Sequence, residues 1–196
     1  MTWPLDDLVL RTPDLELRGM TEERARALAD VVPDDLEHHP RLTHLSPAAD
    51  VLQAYWLNKG TWSVDDWVLE LVVLHQGTPI GLQALEGKGF RTERTVDTHS
   101  WLVPTARGRG LGKQMRTAVL SLAFEHLGAT AAVTEAWVDN AASLGVSRSL
   151  GYVDTHVEDH DGRGMQHLRL TSWQPAFEVQ VEDLAPCLPY LGMTAA

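Results

Sequence analysis

The sequence predicts an α/β (α+β) chain in which a mixed central sheet of about seven strands is flanked by about four helices. Three observations carry this prediction. Short apolar runs with period-two alternation recur along the chain, and between them lie stretches whose apolar residues repeat at three- and four-residue steps. In addition, one strand passes through a glycine-rich turn and a helix into another strand, a crossover that calls for a parallel pair within an otherwise antiparallel order.

Leu15 to Arg18 alternates as a short strand. Thr21-Glu22-Glu23 then supplies an N-cap and first-turn carboxylates for a helix whose Ala25, Leu28, Ala29 and Val32 share a face, and Pro33 ends it. Glu37-His38-His39-Pro40 follows as a loop. Adjacent histidines suggest a metal, but no second cluster with ligand spacing accompanies them in the sequence, so no metal is expected. Ser46-Pro47 is an N-cap and N1 pair for a second helix through Val51, Leu52, Tyr55 and Trp56, stopping near Gly60. Trp56, Trp62 and Trp67 concentrate here, as packing residues or as walls of a pocket.

Trp67 to Leu74 and Ile80 to Leu85 read as an antiparallel hairpin around His75-Gln76-Gly77-Thr78-Pro79. Gly87-Lys88-Gly89 opens a charged loop that leads to the strand from Val96 to Val103. Leu111, Met115, Ala118, Val119, Leu122 and Ala123 fall on one face of a helix that docks on the sheet, and Ala131 to Val138 returns parallel to the strand before it. A helix from Asn140 ends at Gly151, and Tyr152 to Val157 with Met165 to Thr171 forms the last hairpin, turning at Asp159-His160-Asp161-Gly162. The tail beyond Trp173 carries Pro175, Pro186 and Pro189 among apolar residues, and packs on the body or on a partner subunit.

With 196 residues, 44% of them hydrophobic, the chain can bury a full core, and one domain is expected: a core over about 13–173 and a tail over 174–196. A formal net charge of -11 argues against nucleic acid, which is bound through many Lys and Arg contacts, and suits a cationic acceptor. Cys187 is the only cysteine, so it reads as a packed thiol rather than a nucleophile. No apolar run approaches the ~20 residues of a membrane helix. The first residues, with Asp6 and Asp7, lack the form of a signal peptide, so a cytoplasmic monomer or homodimer without membrane contact is expected.

The chemistry concentrates at Arg107-Gly108-Arg109-Gly110-Leu111-Gly112-Lys113. Alternating glycines let the backbone approach a ligand, and the new helix adds unpaired amides and the positive end of its dipole, which together favour an anion. The Walker pattern fails because Gln114 stands where Ser or Thr is needed. The dinucleotide pattern fails because Lys113 stands where Gly is needed. A diphosphate outside a nucleoside triphosphate remains. From Thr98 to Phe124 there is no Asp or Glu, while Arg107, Arg109, Lys113 and Arg116 gather a cationic patch on an acidic chain.

Arg107-x-x-Gly110-x-Gly112 resembles the acyl-coenzyme A signature of the GCN5-related N-acetyltransferases. Asn140-x-x-Ser143-x-x-Val146, closing on Leu150-Gly151-Tyr152, is similar to the second motif of that superfamily, especially its RimL-like branch. The resemblance runs from Leu15 to Thr171, its specific part from Val96 to Tyr152. It implies acetyl-CoA as cosubstrate and residues 107 to 113 as the diphosphate loop. It also implies that the two parallel strands splay, leaving unpaired backbone groups near Leu102 and Val103 for the pantetheine arm, with Asn140, Ser143 and Ser147 beside it.

The reaction so implied is direct attack of an amine on the thioester, and the acceptor a small-molecule amine or a protein N-terminus. An alkylammonium must first lose a proton. Asp97, His99 and Glu135 are the candidate bases, Asp97 and His99 sharing a strand face. Ser143 is the candidate donor to the departing thiolate. Many relatives place a tyrosine seven residues after the asparagine, whereas this chain has Ser147, so that role is not carried over. A non-catalytic acyl-CoA-binding module is the alternative.

Overall fold

The computed structural model describes residues 3–36 and 46–193, so the Glu37-His38-His39-Pro40 loop lies outside the described residues. The strands are β1 (Val9–Arg11), β2 (Glu16–Gly19), β3 (Trp67–His75), β4 (Thr78–Gly87), β5 (Thr95–Leu102), β6 (Ala131–Trp137), β7 (Val153–His160), β8 (Arg163–Leu170) and β9 (Gln180–Glu182). They form one nine-stranded sheet in the order β7-β8-β6-β5-β4-β3-β2-β1-β9. The helices are α1 (Glu22–Ala29), α2 (Pro47–Gly60), α3 (Phe90–Glu93), α4 (Leu111–Ser121) and α5 (Ala141–Ser149).

The mixed α/β architecture is the expected one, with nine strands in place of about seven. The additions, β1 and β9, have three residues each, too few to leave a legible alternation. They pair with each other, Leu10 opposite Val181, so the tail packs on the body of its own chain. The loop expected after Gly89 is in part the short helix α3. Among the described strands only β5 and β6 pair in parallel, as the crossover through α4 requires. Among the described residues, no helix is long and apolar enough to cross a membrane.

The sheet has two differently covered faces. On one, Leu111, Met115, Ala118 and Val119 of α4, with Leu122 just beyond its end, join Leu71, Val73, Leu85, Val96 and Leu168 in one core. This helix, expected to bury one face, is buried almost all round from Met115 to Ser121, and Trp173 from the tail donates its indole N–H to Ser121 Oγ at 3.2 Å. On the other face, Ala25 and Leu28 of α1 and Val51 of α2 cover Val72, Leu82 and Ala84 of β3 and β4. Thr21 and Ser46 cap α1 and α2 as expected, each accepting from the amide three residues on.

Of the tryptophans, Trp62 and Trp67 are packing residues. They stack on each other, and Trp62 donates to the carbonyl of Tyr190 in the tail at 3.0 Å, whereas Trp56 on α2 is half exposed. Cys187 is fully buried, and burial pushes its thiol up to about 12, which rules out a ready nucleophile.

Candidate functional site

The glycine loop joins β5 to α4. Gly108 and Gly110 take φ of 71° and 80°, Gly110 being the N-cap of α4, and a Cβ at either would meet nothing within 4 Å. The backbone therefore turns left-handed beside open space, a conformation that glycine alone adopts cheaply. None of the amides from Gly108 to Gly112 donates to a described residue; the next two, of Lys113 and Gln114, both turn back to the carbonyl of Gly110. Residues 107 to 110 are exposed. A run of free N–H groups thus opens α4 at its positive end, a ready site for an anion.

The cationic patch is smaller than the sequence suggests. Arg107 is bonded to Asp35 through both terminal nitrogens, at 2.6 and 2.9 Å, and its Nε donates to the carbonyl of Leu102 at 2.9 Å. Its head braces the loop rather than facing outward. Arg116 is buried, pointing inward from α4. Arg109 and Lys113 are the cations left at the loop surface.

The parallel ladder between β5 and β6 ends at the Asp97–Val133 step, while β6 stays paired to β8 through Trp137. Beyond that step the strands part, as expected, but the free groups differ from those anticipated. Val103 N–H donates to Ile80 of β4 at 2.8 Å, and the Leu102 carbonyl accepts from Arg107. Antiparallel bonding alternates sides, so the alternation that sends Val103 to β4 sends the amides of Ser100 and Leu102 toward the gap. Thr98 obeys this rule, its carbonyl accepting from Thr134 Oγ1 across the gap at 2.9 Å. Arg116 bridges the same opening from below, reaching Ser100 Oγ and Thr134 Oγ1, each at 3.3 Å. No residue pattern announces this, because a basic residue on a helix normally faces water.

On α5, Asn140 is the N-cap, its Oδ1 accepting from the Ser143 amide at 3.0 Å. Its side-chain amide N–H groups remain available, so capping and ligand binding are compatible. Ser143 is half-buried one turn into the helix. Ser147 is fully buried and its hydroxyl donates to the carbonyl of Ser143 at 3.2 Å, so it serves the helix rather than the opening. A Cβ built on Gly112 would lie 3.7 Å from Val146 of α5, so the loop and the Ser143 helix are neighbours.

The candidate bases lie on the sheet face opposite α4. Strand pairing sets Glu86 beside Asp97, Asp97 beside Val133, and Glu135 beside His167. Period-two alternation then places Asp97, His99, Glu135 and His167 on the face that α1 and α2 cover farther along the sheet. Asp97 is largely desolvated, which pushes its carboxyl up to about 7, against the hydrogen bond it accepts from the Thr98 amide; Glu86 and Glu135 add to the rise. His99 lies 3.5 Å from Glu86, and Glu135 lies 3.4 Å from Nδ1 of His167. His167 and its neighbour His156 are residues the sequence did not single out. They are eleven positions apart, and only the hairpin register brings them together.

The acetyltransferase (GNAT) domain model matches residues 14–153, more than two thirds of the chain. Similar folds include RimJ from Mycobacterium smegmatis in complex with a CoA disulfide, 15% identical, covering 88% of this chain and 90% of that one at a TM-score of 0.68. The ribosomal-protein-S5-alanine acetyltransferase from Vibrio fischeri is 14% identical, with 86% and 100% covered, also at 0.68. RimL, a ribosomal L7/L12 α-N-protein acetyltransferase in complex with coenzyme A, is 16% identical, with 82% and 95% covered at 0.67. A glycine loop at the mouth of parted parallel strands and a family model spanning both motifs lead to one conclusion: the chain belongs to the GNAT acetyltransferases.

Proposed function

We propose that the protein transfers an acetyl group from acetyl-CoA to a primary amine, a small molecule or a protein N-terminus, by direct attack on the thioester. The observation that carries this reading is the run of unbonded amides from Gly108 to Gly112, opening on the exposed residues 108 to 110 beside the β5–β6 gap. Those amides, with Arg109 and Lys113, would hold the coenzyme's diphosphate, and the Ser100 and Leu102 backbone its amide-bearing arm. Acetyl-CoA supplies the activated acyl group.

Asp97 is the base. A carboxyl raised to about 7 is half ionised at neutral pH and matches the task of taking a proton from an ammonium. Glu135 and His99 are engaged by His167 and Glu86, which leaves them roles at the rim. Asp97 first takes the ammonium proton. The neutral amine nitrogen then bonds to the acyl carbon as the carbon–sulfur bond breaks, and its second proton passes through the Ser143 hydroxyl to the leaving sulfur, so that coenzyme A departs as a thiol and the serine is restored. The acidic face that holds Asp97 favours a cationic acceptor. The α-N-protein acetyltransferase among the similar folds supports a protein N-terminus as one such acceptor.

Calorimetry with coenzyme A, followed by thiol release from acetyl-CoA over a panel of amines and N-terminal peptides, tests the reading. Saturable binding and acceptor-dependent release are expected; no affinity for coenzyme A would end it. The engagement of Ser147 with its own helix, where relatives carry tyrosine, favours a second reading, an acyl-CoA-binding module without turnover. Binding without release from any acceptor would select it.

A further inference from the structure

The hairpin of β7 and β8 carries a cluster that the acetyl-transfer reading does not use. His156 and His167 face each other across the strands with rings stacked 4.4 Å apart and 2° from parallel. Glu158, two residues along on the same face, brings Oε2 to 3.3 Å from Nε2 of His167. One ligand-type atom from each of His156, Glu158 and His167 lies within 4.8 Å of the others.

The hydrogen bonds around the cluster indicate where the imidazole protons sit. Thr155 has one hydroxyl hydrogen, and it is directed to the carbonyl of His167 at 3.0 Å. The contact of 3.2 Å between Thr155 Oγ1 and His156 Nδ1 is then an Nδ1–H donation to the hydroxyl, which leaves the lone pair of His156 on Nε2. In His167, Nδ1 faces the Glu135 carboxylate at 3.4 Å, which holds a proton there and again leaves the lone pair on Nε2. That Nε2 is shielded from solvent and has no hydrogen-bond partner among the described residues; the Glu158 oxygen is close but not aligned with it. Two imidazole nitrogens and a carboxylate oxygen, each with a lone pair to give, therefore lie within 4.8 Å of one another, a donor set that a divalent cation would satisfy.

We propose that His156, Glu158 and His167 bind a divalent transition-metal ion of the zinc class, with Glu135 as the carboxylate that orients His167 from outside the coordination shell. Two imidazoles and one carboxylate suit zinc by donor type, and three protein donors leave a position for water. A carboxylate behind a ligating histidine fixes its tautomer and raises its basicity. Glu158 Oε2 and His167 Nε2 already lie 3.3 Å apart, and bringing His156 to them asks for rotation of an exposed side chain on an edge strand. The inference stands independently of the acetyl-transfer reading.

The test uses the full untagged chain after chelation and dialysis. Titration with Co²⁺ should give visible ligand-field absorption saturating at one equivalent, and calorimetry with Zn²⁺ should give matching stoichiometry and a raised Tm. His156→Ala and Glu158→Gln, both at exposed positions, should weaken binding by about tenfold or more, with far-ultraviolet circular dichroism unchanged. The double variant His38→Ala/His39→Ala, at the adjacent histidines of the sequence, should bind like the wild type. Absence of both a cobalt band and zinc heat in the wild type would overturn the proposal. So would undiminished affinity in the two hairpin variants, or loss of binding in the His38/His39 variant, which would move the metal elsewhere.

Discussion

The two faces of the sheet answer different demands. Under α4 the chain is dry: Ala118, Val119, Leu120 and Leu122 are fully buried, and the buried cation Arg116 is engaged by hydroxyls. Across the same strands, β5, β6 and β8 present Asp97, His99, Glu135 and His167 on a face that α1 and α2 leave partly open. A packed face fixes where the strands lie, and a polar face can then hold desolvated carboxyls whose proton affinities differ from those in water. The comparison suggests that stability and chemistry can be perturbed separately.

The largest effect is expected from the polar face. Asp97→Asn should lower kcat/KM for amine acetylation by about 10²–10⁴, the usual contribution of a positioned base. The wild-type rate should fall about tenfold per pH unit below about 7 as Asp97 takes up its proton, and the variant should lose that limb. An unchanged rate and profile would remove Asp97 from the mechanism. On the packed face, Leu120→Ala should cost about 2–5 kcal/mol in denaturant unfolding, since a fully buried leucine leaves a cavity.

Glu70 of β3 sharpens the comparison from within the covered part of the polar face. Burial pushes its carboxyl up to about 7, above its unfolded value, with Asn58 and Lys59 pulling the other way. The folded chain therefore holds this proton more tightly than the unfolded one, so stability falls as pH rises from the ordinary carboxylate range through about 7. Glu70→Gln should accordingly raise stability on the order of 1–3 kcal/mol at pH 8 and leave it nearly unchanged at pH 5. Thermal melts at the two pH values decide this, and a gain confined to pH 5 would contradict the assignment. The smallest effect belongs to the loop: Gly110→Ala, forced into a left-handed backbone, should lose roughly 1 kcal/mol of stability and about tenfold in coenzyme A affinity by calorimetry.

Much of this was legible in the residues. The strands from β2 to β8, the long helices and the parallel pair follow from apolar period, caps and glycine turns, all of them local signals. The glycine turn that opens α4 was legible for the same reason, since its glycines and the helix start are contiguous. What could not be read is what strand pairing assembles. Which backbone groups of β5 face the gap depends on register with β4, so Val103 was misjudged and Ser100 overlooked. Arg107 and Arg116 look alike in sequence, but one is bonded to Asp35 and the other lies beneath the parted strands. His156 and His167 share no spacing motif. Their meeting depends on the irregular register near Thr155, which no sequence period records.

The short strand β9 has a consequence for the far side of the sheet. By laying Gln180 to Glu182 along Val9 to Arg11, with Arg11 held by Glu182, the tail satisfies a border that would otherwise present unpaired amides and carbonyls to other molecules. A chain without that ribbon would offer β1 as a template for strand addition by a second copy.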